Sequence, residues 1–284
     1  MSGISLELKP VESLLFRSDL VAVGSFRCPA AHPLFRDSGP CNSHTFVFPR
    51  TMTAIRHEGG PSFVGNPATV SFYNRRQVYF RTRISDADAS DWFVVADDVL
   101  AEVIARVDPS VEERPERPFR FAHGPSDART YLEQRRLFER IASGQVIDAL
   151  DVEERVIAIL RRVIGAAYGA HDARPVTCRA REHVERARLS ICRGFTRNAT
   201  LREIASEAGA SPYHLCRAFR ALTGETMTSY RHSLRLRVAL GRLRDRRTDL
   251  TELALDLGYD SHSHFTRVFR RAFGVPPSAV RAIP

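Results

Sequence analysis

The chain has 284 residues, 43% of them hydrophobic and 26% charged, with a formal net charge of +9. The length allows one large or two ordinary globular domains with real cores. No run of 18 apolar residues marks a membrane span, the start MSGISLELKP carries no basic segment followed by an apolar block, and five scattered cysteines read as reduced thiols, so a soluble cytoplasmic chain is expected.

The charge is segregated. Residues 175–284 hold 20 arginines against 10 carboxylates, a net of +10, and the remainder of the chain sums to −1. A basic C-terminal part joined to a neutral N-terminal part points to a polyanion-binding module attached to something else.

Residues 1–111 read as short β segments: Val21 to Phe26, Thr45 to Phe48, Thr53 to His57, Ala68 to Tyr73, Gln77 to Ile84 and Asp91 to Val95. They are rich in β-branched and aromatic residues and are separated by clusters of Gly, Pro, Asn and Asp. Many short strands at regular spacing predict a barrel or sandwich, and small barrels often enclose a ligand cavity. Asp86, Asp88 and Asp91, in SDADASD, read as a solvated turn. Cys28, His32, Cys41 and His44 form C-x3-H-x8-C-x2-H, whose donor types suit Zn²⁺. That spacing is not the spacing of a familiar finger, so two packed cysteines with two loop histidines is the competing reading and no metal or other cofactor is assigned. An enzymatic reading fares worse. There is no G-x-S-x-G, P-loop or G-x-G-x-x-G, and His32, His44, His57 and His123 contain no H-x-H pair for a metal-dependent barrel enzyme.

Residues 112–126, with three prolines in EERPERPFRFAHGP, read as an extended linker. Residues 127–170 then give two amphipathic helices. The first has Tyr131, Leu132, Leu137, Phe138 and Ile141 along one side; the second has Val152, Val156, Ile159, Leu160 and Val163. The same apolar stripe would serve to cover the β module or to form a dimer face. HDARP, His171 to Pro175, makes a short second linker.

From residue 175 to 284 the pattern is all-helical. Thr200 and Glu203 form a capping box for a helix from Leu201. Gly209 ends that helix, and Ser211 with Pro212 starts the next. There Leu215 and Phe219 face inward, while Tyr213, Cys216, Arg217 and Arg220 face outward. The unit then recurs. Leu201, Ala205 and Gly209 match Leu250, Ala254 and Gly258 at an offset of 49. Ser211, Leu215, Arg217, Phe219, Arg220 and Gly224 match Ser261, Phe265, Arg267, Phe269, Arg270 and Gly274 at an offset of 50. The repeat is a strong signal. Helix-turn-helix pairs at 201–222 and 250–273 are predicted, joined by one long helix over Thr226 to Leu243. That helix's basic side carries Arg231, Arg235, Arg237 and Arg242. At 1.5 Å per residue such a helix is roughly 27 Å long, which would hold two reading helices about one duplex turn apart.

The C-terminal residues resemble the AraC family of bacterial transcription regulators (AraC/XylS type). The likeness rests on A-x3-G-x-S-x3-L-x-R-x-F-R-x3-G in Ala205 to Gly224 and A-x3-G-Y-x-S-x3-F-x-R-x-F-R-x3-G-x-P in Ala254 to Pro276. The resemblance implies two helix-turn-helix units that bind double-stranded DNA. It places base reading on Tyr213, Cys216 and Arg217 in the first unit and on His262, Ser263, His264 and Arg267 in the second. By their chemistry Arg217 and Arg267 suit guanine O6/N7, and Arg220 and Arg270 suit phosphates. The N-terminal part looks more loosely like the cupin-type sensor domain of that family. An α+β chain is therefore expected, a cupin-like β-barrel with flanking helices followed by an all-α domain. Family habit further implies a small-molecule effector of unknown identity, a homodimer, contact with RNA polymerase and activator function.

Overall fold

The computed structural model describes residues 9–36, 39–144, 146–172, 177–243, 245 and 247–281. The chain splits into two compact units, one made of Met1–Ser126 with Thr130–Asp172, the other of Ala173–Pro284 with Asp127–Arg129.

The first unit contains nine strands: β1 (Glu12–Arg17), β2 (Val21–Pro29), β3 (Thr45–Pro49), β4 (Thr53–His57), β5 (Ser62–Gly65), β6 (Thr69–Tyr73), β7 (Tyr79–Arg83), β8 (Ala87–Val95) and β9 (His123–Pro125). They form a six-stranded sheet in the order β1-β2-β8-β3-β6-β9 and a three-stranded sheet in the order β5-β4-β7. Every pairing is antiparallel. The expected barrel is thus realised as two hydrogen-bonded sheets. Aromatic contacts join them: His57 on β4 and Tyr79 on β7 lie 5.0 and 4.8 Å from Tyr73 on β6. Helix α1 (Asp97–Ala105) follows β8 and turns Leu100, Val103 and Ile104 inward. Two further helices, α2 (Ala128–Ala142) and α3 (Ala149–Asp172), complete this part of the chain.

Two sequence readings are corrected here, and a third element had two roles open to it. The expected linker at 112–126 is part of the folded unit: β9 pairs with β6, Val111 and Phe119 are buried, and Asn74 Nδ2 donates to the Phe119 carbonyl at 2.9 Å. Its prolines fit because β9 is a short edge strand that needs few amide donors. The aspartates read as a solvated turn lie on or beside β8. Asp88 accepts from Arg81 Nη1 at 2.7 Å. Asp91 is fully buried and accepts from Gln134 Nε2 at 2.7 Å and from Arg135. Buried carboxylates persist when paired in this way. Finally, the apolar stripe of α3 is already occupied. Val152, Val156, Leu160 and Val163 are 0–1% exposed within a single chain, and α3 packs on β9. In a single chain this stripe is therefore already covered. The second linker was expected at His171–Pro175. His171 and Asp172 close α3, and residues 173–175 lie outside the described residues.

The second unit is all-helical: α4 (Cys178–Arg193), α5 (Leu201–Ala208), α6 (Pro212–Thr223), α7 (Met227–Arg242), α8 (Leu250–Asp256), α9 (His262–Phe273) and α10 (Pro277–Arg281). Its core runs through Val184, Ala187 and Ile191 of α4, Leu215 and Phe219 of α6, Leu234 and Leu240 of α7, and Phe265 and Phe269 of α9.

Candidate nucleic-acid interface

Each helix-turn-helix is built by local chemistry. In the first, Thr200 and Glu203 satisfy each other's backbone N–H groups, the reciprocal box that starts α5. Gly209, at φ 69°, ends it in the left-handed region. Ser211 Oγ then accepts the His214 N–H at 3.3 Å and starts α6. In the second, Asp249 accepts from the amides of Thr251 and Glu252, and Gly258 sits at φ 77°. Ser261 Oγ accepts the His264 N–H at 3.2 Å to start α9. The long connecting helix α7 has 16 residues, about 24 Å at 1.5 Å each.

The outward faces of α6 and α9 carry the predicted residues. On α6, Tyr213, Cys216, Arg217 and Arg220 are exposed, and the Arg217 guanidinium lies 5.6 Å over the Tyr213 ring. On α9, His262, Ser263, Arg267 and Arg270 line a shallow open groove together with Thr266 and Arg271. Among the described residues no carboxylate pairs with Arg217, Arg220, Arg267, Arg270 or Arg271. Elsewhere in this unit Arg186, Arg188, Arg197 and Arg242 do have acidic partners. Cations left unpaired on two helix faces suit an external polyanion.

His264 stands apart from that set. It is half-buried, its ring 5.5 Å from Tyr259 and edge-on to it, and it is not one of the groove residues. Thr266 and Arg271 were missed by sequence reasoning. Thr266 occupies the place that Cys216 holds in the first copy, one offset of 50, so the repeat itself carried the signal. Arg235 and Arg237 were expected on a basic outer face of α7 and are instead 1% and 4% exposed. Arg235 donates from Nε to the Phe195 carbonyl at 2.6 Å, from Nη1 to the Gly258 carbonyl at 2.8 Å, and from Nη2 to the Thr196 carbonyl at 3.0 Å and Asn198 Oδ1 at 2.9 Å. A planar fork with five N–H groups can reach acceptors from two loops at once. The residue ties the α4–α5 loop to the turn before α9.

The first unit holds a cavity of about 80 Å³ between strands of both sheets, walled by Phe26, Tyr73, Tyr79 and Trp92 and by the Arg81–Asp88 pair. Burial pushes the Cys41 thiol at its edge up to about 12. The Cys28, His32, Cys41 and His44 set does not assemble. The Cys28 thiol donates to the Pro29 carbonyl at 3.7 Å. His32 Nδ1 accepts from the Leu34 amide, and His44 Nδ1 accepts from the Arg75 amide. Among the described residues no three His, Cys, Asp or Glu side chains are grouped to hold a metal ion.

Comparison with known proteins fits this geometry. A family model described as a helix-turn-helix domain matches residues 204–283. The regulatory protein SoxS of Escherichia coli K12 is 40% identical over 78 residues, which are 28% of this chain and 73% of that protein. The chain belongs to the AraC/XylS family. The Transposon Tn10 TetD protein of Escherichia coli is 37% identical over 93 residues, 33% of this chain and 67% of that protein. A crystal structure of ToxT from Vibrio cholerae O395 aligns over 94% of this chain and 100% of that one, with 11% identity and a TM-score of 0.38. This AraC/XylS-family chain is therefore a DNA-binding transcription regulator, and α6 and α9 are the second helices of its two helix-turn-helix pairs. Among the described residues no helix is long and apolar enough to cross a membrane.

Proposed function

We propose that this regulator reads one face of duplex DNA through α6 and α9 and takes its signal from a small molecule held in the N-terminal cavity. The observation that carries the DNA half is the pair of matched arginines, Arg217 and Arg267, on capped helices of one domain with no acidic partner among the described residues. Each suits guanine O6/N7, with Tyr213, Cys216, His262 and Ser263 beside them as further base contacts. Arg220 and Arg270, one turn along, suit phosphates. His264 is the weakest of the expected readers, because its ring is committed to Tyr259. One chain holding two unlike helices can read a non-palindromic site without a partner.

The cavity supports the effector half. Arg81 and Asp88 neutralise each other in its wall, Lys9 and Glu12 add one further charge of each sign, and most of the remaining lining is aromatic, aliphatic or hydroxyl-bearing, including Val47, Thr45 and Ser90. At roughly 10–15 Å³ per water, its volume suits a compact, uncharged molecule that stacks on rings and accepts hydrogen bonds. Family membership supports action on the cytoplasmic chromosome through RNA polymerase, with a homodimer built on a surface other than the α3 stripe.

The decisive experiment is selection of bound duplexes from a randomised pool with the full chain, repeated with Arg217→Ala and Arg267→Ala. Each variant is expected to relax preference at its own positions only. A uniform loss across all sequences would remove the base-reading assignment and leave phosphate contact alone. A screen of small neutral compounds for a rise in the melting temperature monitored by Trp92 fluorescence tests the cavity. A compound that raises it should lose that effect in Tyr79→Ala.

A further inference from the structure

The ring cluster that holds His264 extends to α7. His232 on α7 lies 5.6 Å from the Tyr259 ring and 6.3 Å from the His264 ring, and His264 in turn abuts Tyr259. Three polar atoms here are buried without a hydrogen-bond partner: His232 Nδ1, Tyr259 Oη and Arg231 Nε. Buried polar atoms are ordinarily paired, so three orphans in one cluster are worth explaining.

The groups facing His232 can be named element by element. From α7 come Arg231 and Arg235, from the turn before α9 Tyr259 with Asp260 beyond it, and from α9 His264. The Asp260 carboxylate is exposed and acts on Arg235, whose guanidinium is satisfied by backbone carbonyls and Asn198. Burial lowers the His232 pKa first, and Arg235, Arg231 and His264 lower it further. An imidazole hemmed in by cations and lacking an anion is held neutral. A duplex lying on α9 supplies the missing negative charge, because His262 and Ser263, the neighbours of His264 in the first turn, line the groove.

We propose that His232 and His264 form a proton-binding site that duplex DNA completes, so that engagement of the second reading helix takes up a proton. The inference rests on the reading that α9 enters the groove. His232 acts here as a positioning residue: its charge state sets how the His264 ring, and with it the first turn of α9, meets the duplex. The sign follows from linkage. A complex that binds more protons than its free parts grows tighter as pH falls. Each unit by which the duplex raises the pair's pKa should make binding about tenfold tighter at the acid end of the range than at the alkaline end.

The test uses the full chain and a duplex taken from the selection above. The Kd is measured from pH 5.5 to 8.5 at constant ionic strength, and protons are counted by calorimetry in two buffers of different ionisation enthalpy. Kd should fall with pH, with net proton uptake near neutrality. His232→Gln should abolish the gain at low pH while leaving the Kd at pH 8.5 within about twofold. His264→Gln should abolish the gain too, and His214→Gln, on α6, should retain it. Should His232→Gln fail to fold, the His232 ring-proton resonance of the unaltered chain still decides: it should titrate at higher pH in the complex than in the free chain. No proton uptake, or a full low-pH gain in folded His232→Gln, overturns the proposal. Failure to bind any duplex at low ionic strength would instead sink the groove reading of α9.

Discussion

The two helix-turn-helix copies share their caps, their core spacing and their paired arginines, yet they differ in how the turn is held. In the first copy the turn is Gly209, Ala210 and Ser211, and its glycine has only the end of the Arg186 side chain (3.4 Å) and the His183 ring near its vacant Cβ position. In the second copy the turn is one residue longer, Tyr259 is buried in it, and Arg235 reaches across from α7 to bind the Gly258 carbonyl. A Cβ on Gly258 would stand 1.9 Å from the Thr196 carbonyl oxygen and 2.8 Å from Arg235 Nη2. The repeat has thus kept the fold of the unit while holding the two turns differently: in the first copy by His183 of α4, whose Nδ1 lies 2.8 Å from the Ala208 carbonyl, and in the second by the Arg235 fork, which clamps Gly258. Matched positions are not equivalent positions.

The sharpest way to break that contrast is to substitute the two glycines. Gly258→Ala must move backbone and dislodge Arg235, and should cost about 4 kcal/mol or more. Gly209→Ala meets only side-chain atoms and should cost about 1–2 kcal/mol, the strain of a left-handed alanine. The transition to follow is the loss of helix by circular dichroism. The single tryptophan, Trp92, lies in the first unit, so its fluorescence should stay unmoved in both variants. Equal losses for the two glycines would refute the difference in turn construction.

That difference was half visible in the sequence. Caps, left-handed glycines and the apolar spacing of α5, α6, α8 and α9 are local signals, and the repeat placed each of them. Arg235 was invisible because periodicity sees only one helix. Its acceptors come from residues 195–198 and from Gly258, far along the chain, and only their convergence draws a cation inward. The same limit governs the first unit. Asp88 and Asp91 sit in a run of small polar residues that reads as a turn. The partners that make them tolerable in β8, Arg81 and Arg135, belong to β7 and α2. β9 is three residues long, too short for any alternation, and exists because β6 offers an edge and α3 a floor. On the groove face of α9, His262, Ser263, Arg267 and Arg270 were legible from the repeat, whereas Thr266 and Arg271 were not singled out and pattern could not show His264 leaning onto Tyr259.

Removing the clamp itself is the next test. Arg235→Met keeps the apolar stem and deletes the fork, leaving the carbonyls of Phe195, Thr196 and Gly258 without their donor. An expected loss of about 3–5 kcal/mol in the helical transition follows from breaking a buried charged network on one side. Arg235→Lys should recover only part of it, because an ammonium cannot span the same acceptors. If Arg235→Met unfolds at the same temperature as the unaltered chain, the second copy is not clamped.

On the DNA side the contrast should shrink. Arg217 lies against the Tyr213 ring before any duplex arrives, whereas the place of Tyr213 in the second copy is taken by Ser263. A guanidinium ordered in advance loses less freedom on binding. Arg217→Ala and Arg267→Ala should each weaken binding to the selected duplex by about 1–3 kcal/mol, with the larger loss at Arg217. Tyr213→Ala should narrow the gap between the two. A larger loss at Arg267 would mean that the stack with Tyr213 must be broken, at a cost, before Arg217 can read a base.

The helix starts should show the least difference. Ser211 and Ser261 each accept one amide, from His214 at 3.3 Å and from His264 at 3.2 Å, and both caps are exposed. Replacing either by alanine leaves one first-turn N–H to water and should cost about 1 kcal/mol. Near-equal losses by circular dichroism would locate the divergence of the copies in the turn and its clamp, since the caps would then be interchangeable. A markedly larger loss for Ser261→Ala would mean that the cap of α9 also holds Tyr259 and His264 in place. The turn and the helix start of the second copy would then be one cooperative element, and the proton-linked behaviour proposed for His232 should be weakened by Ser261→Ala as well.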